Sequence, residues 1–375
     1  MKLLISVVVP LLVLSNSAGV GSNTASAQQQ IPEKLCSAKV VFLGEASHGG
    51  GETIRAKVDM TQALIDQCHF NQVAFESQMY DFTALHSPHI TVNALRNAIG
   101  GLWSTTGETD ALFERLVGMA NRNEIRVQGI DGQLGSSTSR YAQAQFAADL
   151  TAGMPRDRAK TCSDLTNRLT QWSFDETHPK DDQFDKDLKH CAEAFVAHAK
   201  QSGAPEQIAL AKNFDRFLSF SNDNYVNDRD MLMFENLQRM IKPNTKTVVW
   251  TANIHAAREA VADVHPLASH FGPTHDVVSV GFTAIDGAYC MPPCKSQKVL
   301  APASAESLER YVTGLGKRSQ LFDLKTDAAA TSRPSKLLDY SKETTEQWSR
   351  LFDYVFVLPK ERAPNHVRSA SPLPE

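Results

Sequence analysis

Lys39-Val40-Val41-Phe42-Leu43, followed at once by Gly44-Glu45-Ala46-Ser47-His48-Gly49, is the stretch on which the fold turns. Apolar, β-branched residues on consecutive positions read as a strand buried on both faces, as in a parallel sheet. The glycines, acid and histidine after it read as a loop at its carboxyl end. From about Thr53 to Gln67, Ile54, Val58 and Ile65, with Met60 and Leu64, recur at helical spacing. Gln72-Val73-Ala74-Phe75 then forms a second strand, which makes the segment a βαβ unit whose crossover is expected to be right-handed.

Further strand patterns occur at Ile125-Arg126-Val127, Thr247 to Trp250, Val277 to Val280 and Tyr354 to Leu358. Between the third and fourth, from about Tyr141 to Lys242, the chain is rich in Ala, Lys, Asp and Gln and lacks a strand pattern. It reads as several helices with joints near Pro155, Pro179 and Pro205. The expected fold is therefore α/β: a central, mostly parallel sheet flanked by helices, with a large all-helical insertion at about 137–245. One domain is expected over 28–375, and the polar tail after Pro359 is expected to be loose.

The first residues read as a cleaved export signal. Met1-Lys2 start it, Leu3 to Leu14 form a short apolar stretch, and Ala25-Ser26-Ala27 offers a small-x-small cut before Gln28. A periplasmic or secreted protein is expected, with no stable membrane insertion after cleavage. Charge is balanced, 38 basic against 42 acidic residues, and no basic run points to nucleic acid as a partner. All six cysteines lie beyond the signal, an even number in a compartment that permits oxidation. Neighbour pairing is the simplest framework: Cys36 with Cys68, Cys162 with Cys191, and Cys290 with Cys294 around a tight Met291-Pro292-Pro293 bend. The rival zinc reading lacks paired CxxC spacing.

The residues just beyond the strands point to chemistry. Glu45 and His48 come after the first, Glu76 after the second, Asp131 after the third, and Asn253 and His255 after the fourth. In a parallel sheet these positions share the carboxyl edge, where open α/β sheets bind ligands. Singly, Glu76 could cap a helix and Asp131 could shape a turn; four strands in succession favour a shared site. A GxSxG nucleophile elbow is missing, and Gly49-Gly50-Gly51 lacks the Lys-Ser/Thr of a phosphate loop. Oxidised cysteines leave no thiolate nucleophile. Two chemistries remain: hydrolysis by water with a histidine as general base held by a carboxylate, or a metal bound by the same groups.

These motifs resemble those of the erythromycin esterase family. Gly44 to Gly49 with Glu52, Arg55 and Lys57 looks like its opening signature, and Ala74-Phe75-Glu76 like its second motif. Gly129-Ile130-Asp131 with Gln133 resembles the third. Arg229-Asp230 with Met233, Glu235 and Asn236 resembles its helical motif, and Val248-Val249-Trp250 through His255 its last active-site motif. Phe352 to Leu358 resembles its closing strand. The resemblance implies hydrolysis of a small-molecule ester or a lactone, macrolide-like in the named members, without a cofactor. It implies His48 as general base on water, oriented by Glu45, with Glu76 and His255 in the same cleft. Arg55 would stabilise the oxyanion, and Asn253, Arg229, Asp230 and Asp131 would bind substrate. Asp230 lies on a helix face with Phe234, Leu237 and Ile241, so it is either paired and structural or in contact with ligand. The chain departs from the family at Ala252, where a histidine is usual. A metal-dependent hydrolase with Glu45, His48, Glu76 and His255 as ligands, and a binding protein without catalysis, are the alternatives.

Overall fold

A computed structural model describes residues 31–366, apart from residues 87–88, 102, 135–139, 275, 292–293, 316–319 and 331. The expected signal and its cut, the Pro292-Pro293 bend and the end of the tail lie outside the described residues.

After a short helix α1 (Glu33–Ser37), strand β1 (Val40–Leu43) leads into α2 (Gly51–Cys68) and β2 (Gln72–Gln78). Helices α3 (Val92–Ile99) and α4 (Asp110–Asn121) precede β3 (Arg126–Asp131). Five helices then run to the next strand: α5 (Arg140–Thr151), α6 (Arg156–Thr170), α7 (Asp182–Ser202), α8 (Pro205–Leu218) and α9 (Tyr225–Met240). The expected joints are found, since Pro155 precedes α6, Pro205 opens α8, and Pro179 lies just before α7. Strand β4 (Thr247–Trp250), the single-turn α10 (Asn253–Ala256) and β5 (Val277–Ala284) come next. Short strands β6 (Gly287–Tyr289) and β7 (Lys298–Leu300) form a hairpin. The chain closes with α11 (Leu308–Gly314), β8 (Gln320–Asp323), a small antiparallel pair β9 (Pro334–Ser335) and β10 (Thr344–Thr345), α12 (Trp348–Leu351) and β11 (Tyr354–Leu358).

Seven strands form the main sheet in the order β3-β2-β4-β1-β5-β11-β8, parallel except for β8 at the edge, which pairs antiparallel with β11. The α/β class and mostly parallel sheet expected from the sequence are therefore present. β4 lies between β1 and β2, so the two strands of the first βαβ unit are not neighbours. Successive residues of β1 feed opposite layers. Val41 and Leu43 pack with Ile54 and Leu64 of α2 and with Leu95, Phe113 and Leu116; Val40 and Phe42 pack with Met233 and Leu237 of α9 and with Leu308 and Val312 of α11. Burial on both faces is why the strand reads as an unbroken apolar run. Helices α5 to α8 carry a core of their own, around Phe146, Phe184, Leu188, Phe195 and Phe214.

All three expected disulfides are present. Cys36–Cys68 ties α1 to the end of α2, Cys162–Cys191 links α6 to α7, and Cys290–Cys294 closes a short loop.

The tail corrects an expectation. Glu361, two residues beyond Pro359, is buried rather than loose. Its Oε1 accepts from the backbone N–H groups of Glu52 (2.8 Å), Thr53 (3.3 Å) and Arg362 (3.1 Å). Its Oε2 accepts from the hydroxyls of Thr53 (2.5 Å) and Tyr340 (3.0 Å). The residue preceding α2 is Gly50, which has no side chain to cap the exposed N–H groups, so a carboxylate from the far end of the chain does so. A Cβ on Gly50 would stand 2.4 Å from Glu361 Oε2, which is why glycine is needed there. Glu361→Ala is expected to cost about 1–3 kcal/mol, because several buried donors lose their acceptor together. Urea unfolding checks this; an unchanged midpoint would mean that water replaces the carboxylate without loss.

Candidate active site

The site forms where β1, β2, β3 and β4 end, in two halves. In the first, the chain leaves β1 at Gly44, where a Cβ would fall 2.1 Å from Asn253 Oδ1. Only a glycine lets the loops after β1 and β4 approach this closely, and the Glu45 carbonyl accepts from Asn253 N–H at 2.8 Å. The turn buries Glu45 completely. Its Oε1 accepts from His48 Nδ1 (2.5 Å) and Trp103 Nε1 (2.8 Å), and its Oε2 from Lys57 Nζ (2.8 Å). Burial alone would raise the Glu45 carboxyl, but Lys57 and His48 outweigh it and hold the pKa below the ordinary value. With Nδ1–H donated to Glu45, His48 carries its lone pair on Nε2, and its side chain stays 18% exposed.

The second half is built around Arg229 of α9. Its Nε (3.0 Å) and Nη2 (2.8 Å) both donate to Asp131 Oδ2, and Nη2 also donates to Glu76 Oε1 at 2.8 Å. Glu76 Oε2 accepts from the Thr251 hydroxyl (2.7 Å) and the Ala252 N–H (2.9 Å). Burial raises the Glu76 carboxyl, yet His255, Arg229 and His48 together pull it well below the ordinary range. The two halves meet at Thr251, whose carbonyl accepts from Lys57 Nζ at 3.4 Å and whose hydroxyl donates to Glu76. Burial likewise disfavours the Arg229 charge, and the two carboxylates reverse the balance.

His255 is fixed by Asp230, whose Oδ1 faces Nδ1 at 2.6 Å and also accepts from Leu267 N–H at 3.0 Å. Its Nε2 lies 3.1 Å from Arg229 Nη1 and 3.4 Å from Glu76 Oε1. The arginine contact suits a neutral ring accepting at Nε2; the carboxylate suits an imidazolium. Burial disfavours the charged ring, but Glu76 and Asp230 outweigh burial and Arg229, so its pKa lies above the ordinary value. The ring has a partner in either protonation state, a useful property for a group that takes and gives a proton.

Several sequence expectations change here. Arg55 stands on the outer face of α2, 48% exposed and paired with Glu52 at 3.7 Å, and is not gathered into the carboxylate–imidazole cluster. A 3.6-residue helical period that turns Thr53, Ile54 and Lys57 inward turns position 55 outward; Arg229 is the cluster's guanidinium. Asn253 is fully buried and ties β5 to the segment after β9. Its Nδ2 donates to the carbonyls of Phe282 (2.9 Å) and Leu337 (2.5 Å), and its Oδ1 accepts from Phe282 N–H (3.2 Å). That commits the amide to the scaffold rather than to a substrate. Asp230 is the paired, structural alternative, and its partner is His255 rather than Arg55. Asp131 and Glu76 are the terminal residue and an inner residue of their strands, not loop residues; the pairing of β2 with β3 shifts register between Phe75 and Gln78, the span that holds Glu76.

Sequence reasoning assigned no role to Lys57, Trp103, Thr251 or Tyr225. Lys57 had a signal, since a lysine at helical spacing from Ile54 and Thr61 falls on the apolar face of α2. Trp103 had none, arriving on a connecting segment. Tyr225 opens α9, where burial and Asp131 push its hydroxyl pKa up, with Arg229 opposing.

The four residues of the metal alternative do not fit an ion. Among the described residues, the one group of three or more His, Cys, Asp or Glu side chains with ligand atoms close together is Cys290, Cys294 and His366, and its sulfurs are joined to each other. The inner oxygens of Glu45 and Glu76 already face the Lys57 ammonium and the Arg229 guanidinium, the charges a metal would compete with.

A family model described as "Erythromycin esterase" matches residues 65–362. The chain is 22% identical over 272 residues to the Bacillus subtilis (strain 168) protein named "Putative hydrolase YbfO", covering 64% of this chain and 61% of that relative's length. The match thus spans less than two thirds of the relative. A solved structure described as a succinoglycan biosynthesis protein superposes with a TM-score of 0.72 at 17% identity, over 90% of this chain and 91% of the other. A Bacillus cereus protein gives 0.70 at 17% identity, over 90% and 92%. A mutant of the erythromycin esterase EreC in its open conformation gives 0.63 at 14% identity, over 90% and 94%. At such identities the structural likeness is one of fold.

Proposed function

The chain belongs to the erythromycin esterase family of hydrolases, and on that basis we propose that it hydrolyses a carboxylic ester or lactone with water activated by His48. The observation that carries the reading is the 2.5 Å contact between His48 Nδ1 and buried Glu45, which fixes the ring and leaves Nε2 as the proton acceptor. Water bound at Nε2 gives up a proton as its oxygen attacks the carbonyl carbon. The C=O π pair moves onto oxygen, and the resulting oxyanion lies within the field of Arg229. Collapse of the tetrahedral intermediate breaks the carbon–oxygen bond to the alcohol. The leaving alkoxide takes a proton from His255, which Asp230 orients, to give the alcohol; the carboxylic acid returns a proton to His255 and becomes the carboxylate, and His48 releases its proton to solvent. Asp131 and Glu76 hold Arg229 in place, and Glu76 supplies the acceptor for a charged His255.

Export through the amino-terminal signal belongs to the same reading. Three disulfides support it, and no helix of the described residues is long and apolar enough to cross a membrane. Macrolactones are one candidate class, since the family is named for them; Ala252, which offers its N–H to Glu76 in place of an imidazole, favours testing simpler esters as well.

The test is turnover of a panel of aryl esters, simple lactones and a macrolactone by the purified mature chain, before and after dialysis against a strong chelator. At least one member should be hydrolysed, with activity unchanged by the chelator. A panel without turnover would overturn hydrolysis of this class. Activity lost on chelation and restored by zinc or manganese would hand the site to metal catalysis.

A further inference from the structure

Lys57 is buried completely, and its surroundings explain how a charge survives there. Its Nζ lies 2.8 Å from Glu45 Oε2 and 3.4 Å from the Thr251 carbonyl, and 4.7 Å and 5.0 Å from the ring centroids of Trp250 and Trp103. The aromatic faces and one carboxylate replace the water that the ammonium has lost. Trp103 also donates to Glu45 Oε1, the oxygen that holds His48, and meets the His48 ring edge-on with centroids 5.6 Å apart. Among the described residues, the side-chain donors to the Glu45 carboxylate are thus Lys57, Trp103 and His48.

The arrangement answers a difficulty in the hydrolytic mechanism, on which this inference rests. A buried carboxylate against an imidazole orients the ring, but it also favours a proton on it, and a protonated ring is no base. We propose that Lys57 is a positioning residue for the reaction, its ammonium cancelling the charge of Glu45 so that the carboxylate orients His48 without holding a proton on it. With Lys57 present, Glu45 and Lys57 are neutral together, and a proton on His48 brings the group to a net positive charge. Without Lys57, the same proton would turn a net negative pair neutral, and the pair would keep it.

The other groups packed around the pair do not take over this task. Glu76 on β2 is negative and committed to Arg229. Tyr340, whose hydroxyl burial and Glu361 keep protonated, is neutral. Trp103, Trp250 and Thr251 carry no charge. Burial pulls the Lys57 ammonium below its ordinary pKa, opposed first by Glu45 and then by Glu76.

The test compares Lys57→Met, Lys57→Gln, Lys57→Arg and the double variant Lys57→Met/Glu45→Gln with the parent, using kcat/KM against pH on the best ester. The His48 ring is also titrated by NMR, its signal assigned from His48→Ala. Both neutral variants should move the acid limb of the profile to higher pH by about one unit or more, the usual effect of a removed charge at this range. Activity should therefore fall by about tenfold or more on the acid side and recover partly at high pH. Lys57→Arg should keep the parent midpoint, and the double variant, in which neither charge remains, should return towards it. A neutral variant with a lowered plateau but an unmoved midpoint overturns the proposal and leaves Lys57 a packing residue. A raised midpoint retained in the double variant overturns it too. The NMR titration separates this idea from the hydrolysis reading: a shifted ring in a chain that hydrolyses no ester would uphold the first and reject the second.

Discussion

His48→Ala is expected to reduce hydrolysis of the best ester by about 10²–10⁴-fold, the usual contribution of a positioned general base. The fold should survive, since the ring fills no core position and Gly44, Glu45 and the start of α2 are anchored independently by Asn253, Lys57 and Glu361. Glu45 keeps its Lys57 and Trp103 contacts in the variant, so the substitution strands no buried charge. The loss should fall on kcat more than on KM, because a proton transfer is made only in the transition state. Circular dichroism and a urea titration establish the fold; steady-state kinetics decide the rest. A well-folded variant that hydrolyses its ester at near the parent rate would falsify the mechanism and move attention to His255.

Arg229→Met is expected to cost about 3–5 kcal/mol of stability, because it takes the shared guanidinium from two buried carboxylates. Glu76 and Asp131 both lean on that guanidinium, and Glu76 lies near Asp230 through His255. The pH dependence is set by Glu76. In the parent its folded-state pKa is depressed, so its contribution is fully present above the unfolded value of about 4.3 and is lost as pH falls. In the variant His255 and His48 still face Glu76, so its carboxyl is held down less firmly and less stability is lost as pH falls. The two urea midpoints should therefore lie furthest apart near neutrality and converge towards acid pH. A gap that is small at pH 7, or that widens in acid, would show that the carboxylates find water or His255 in place of the arginine.

The sheet was legible for a physical reason. Five of its seven strands carry runs of apolar or β-branched residues, and a strand buried on both faces leaves no other pattern that fits. β8 escaped because Gln320-Leu321-Phe322-Asp323 is an edge strand with little apolar signal, paired on one side only. The site's main histidines and carboxylates were legible as well. Residues that end parallel strands must share an edge, so Glu45, His48, Glu76, Asp131 and His255 could be gathered from spacing alone.

The class of fold, the edge that carries the site and the neighbour-paired cysteines could thus be read from the chain unaided, all being set by local periodicity or by short separations along it. Tertiary structure decided the wiring. That Arg229 rather than Arg55 joins the carboxylates, that Asp230 serves His255, that Asn253 ties β5 to the segment after β9, and that Trp103 and Lys57 converge on Glu45 all depend on contacts between distant segments. So does the capping of α2 by Glu361, 309 residues from the Glu52 amide it receives. A charged side chain reads the same in sequence whether it faces water or a buried partner, and only packing tells which of them it meets.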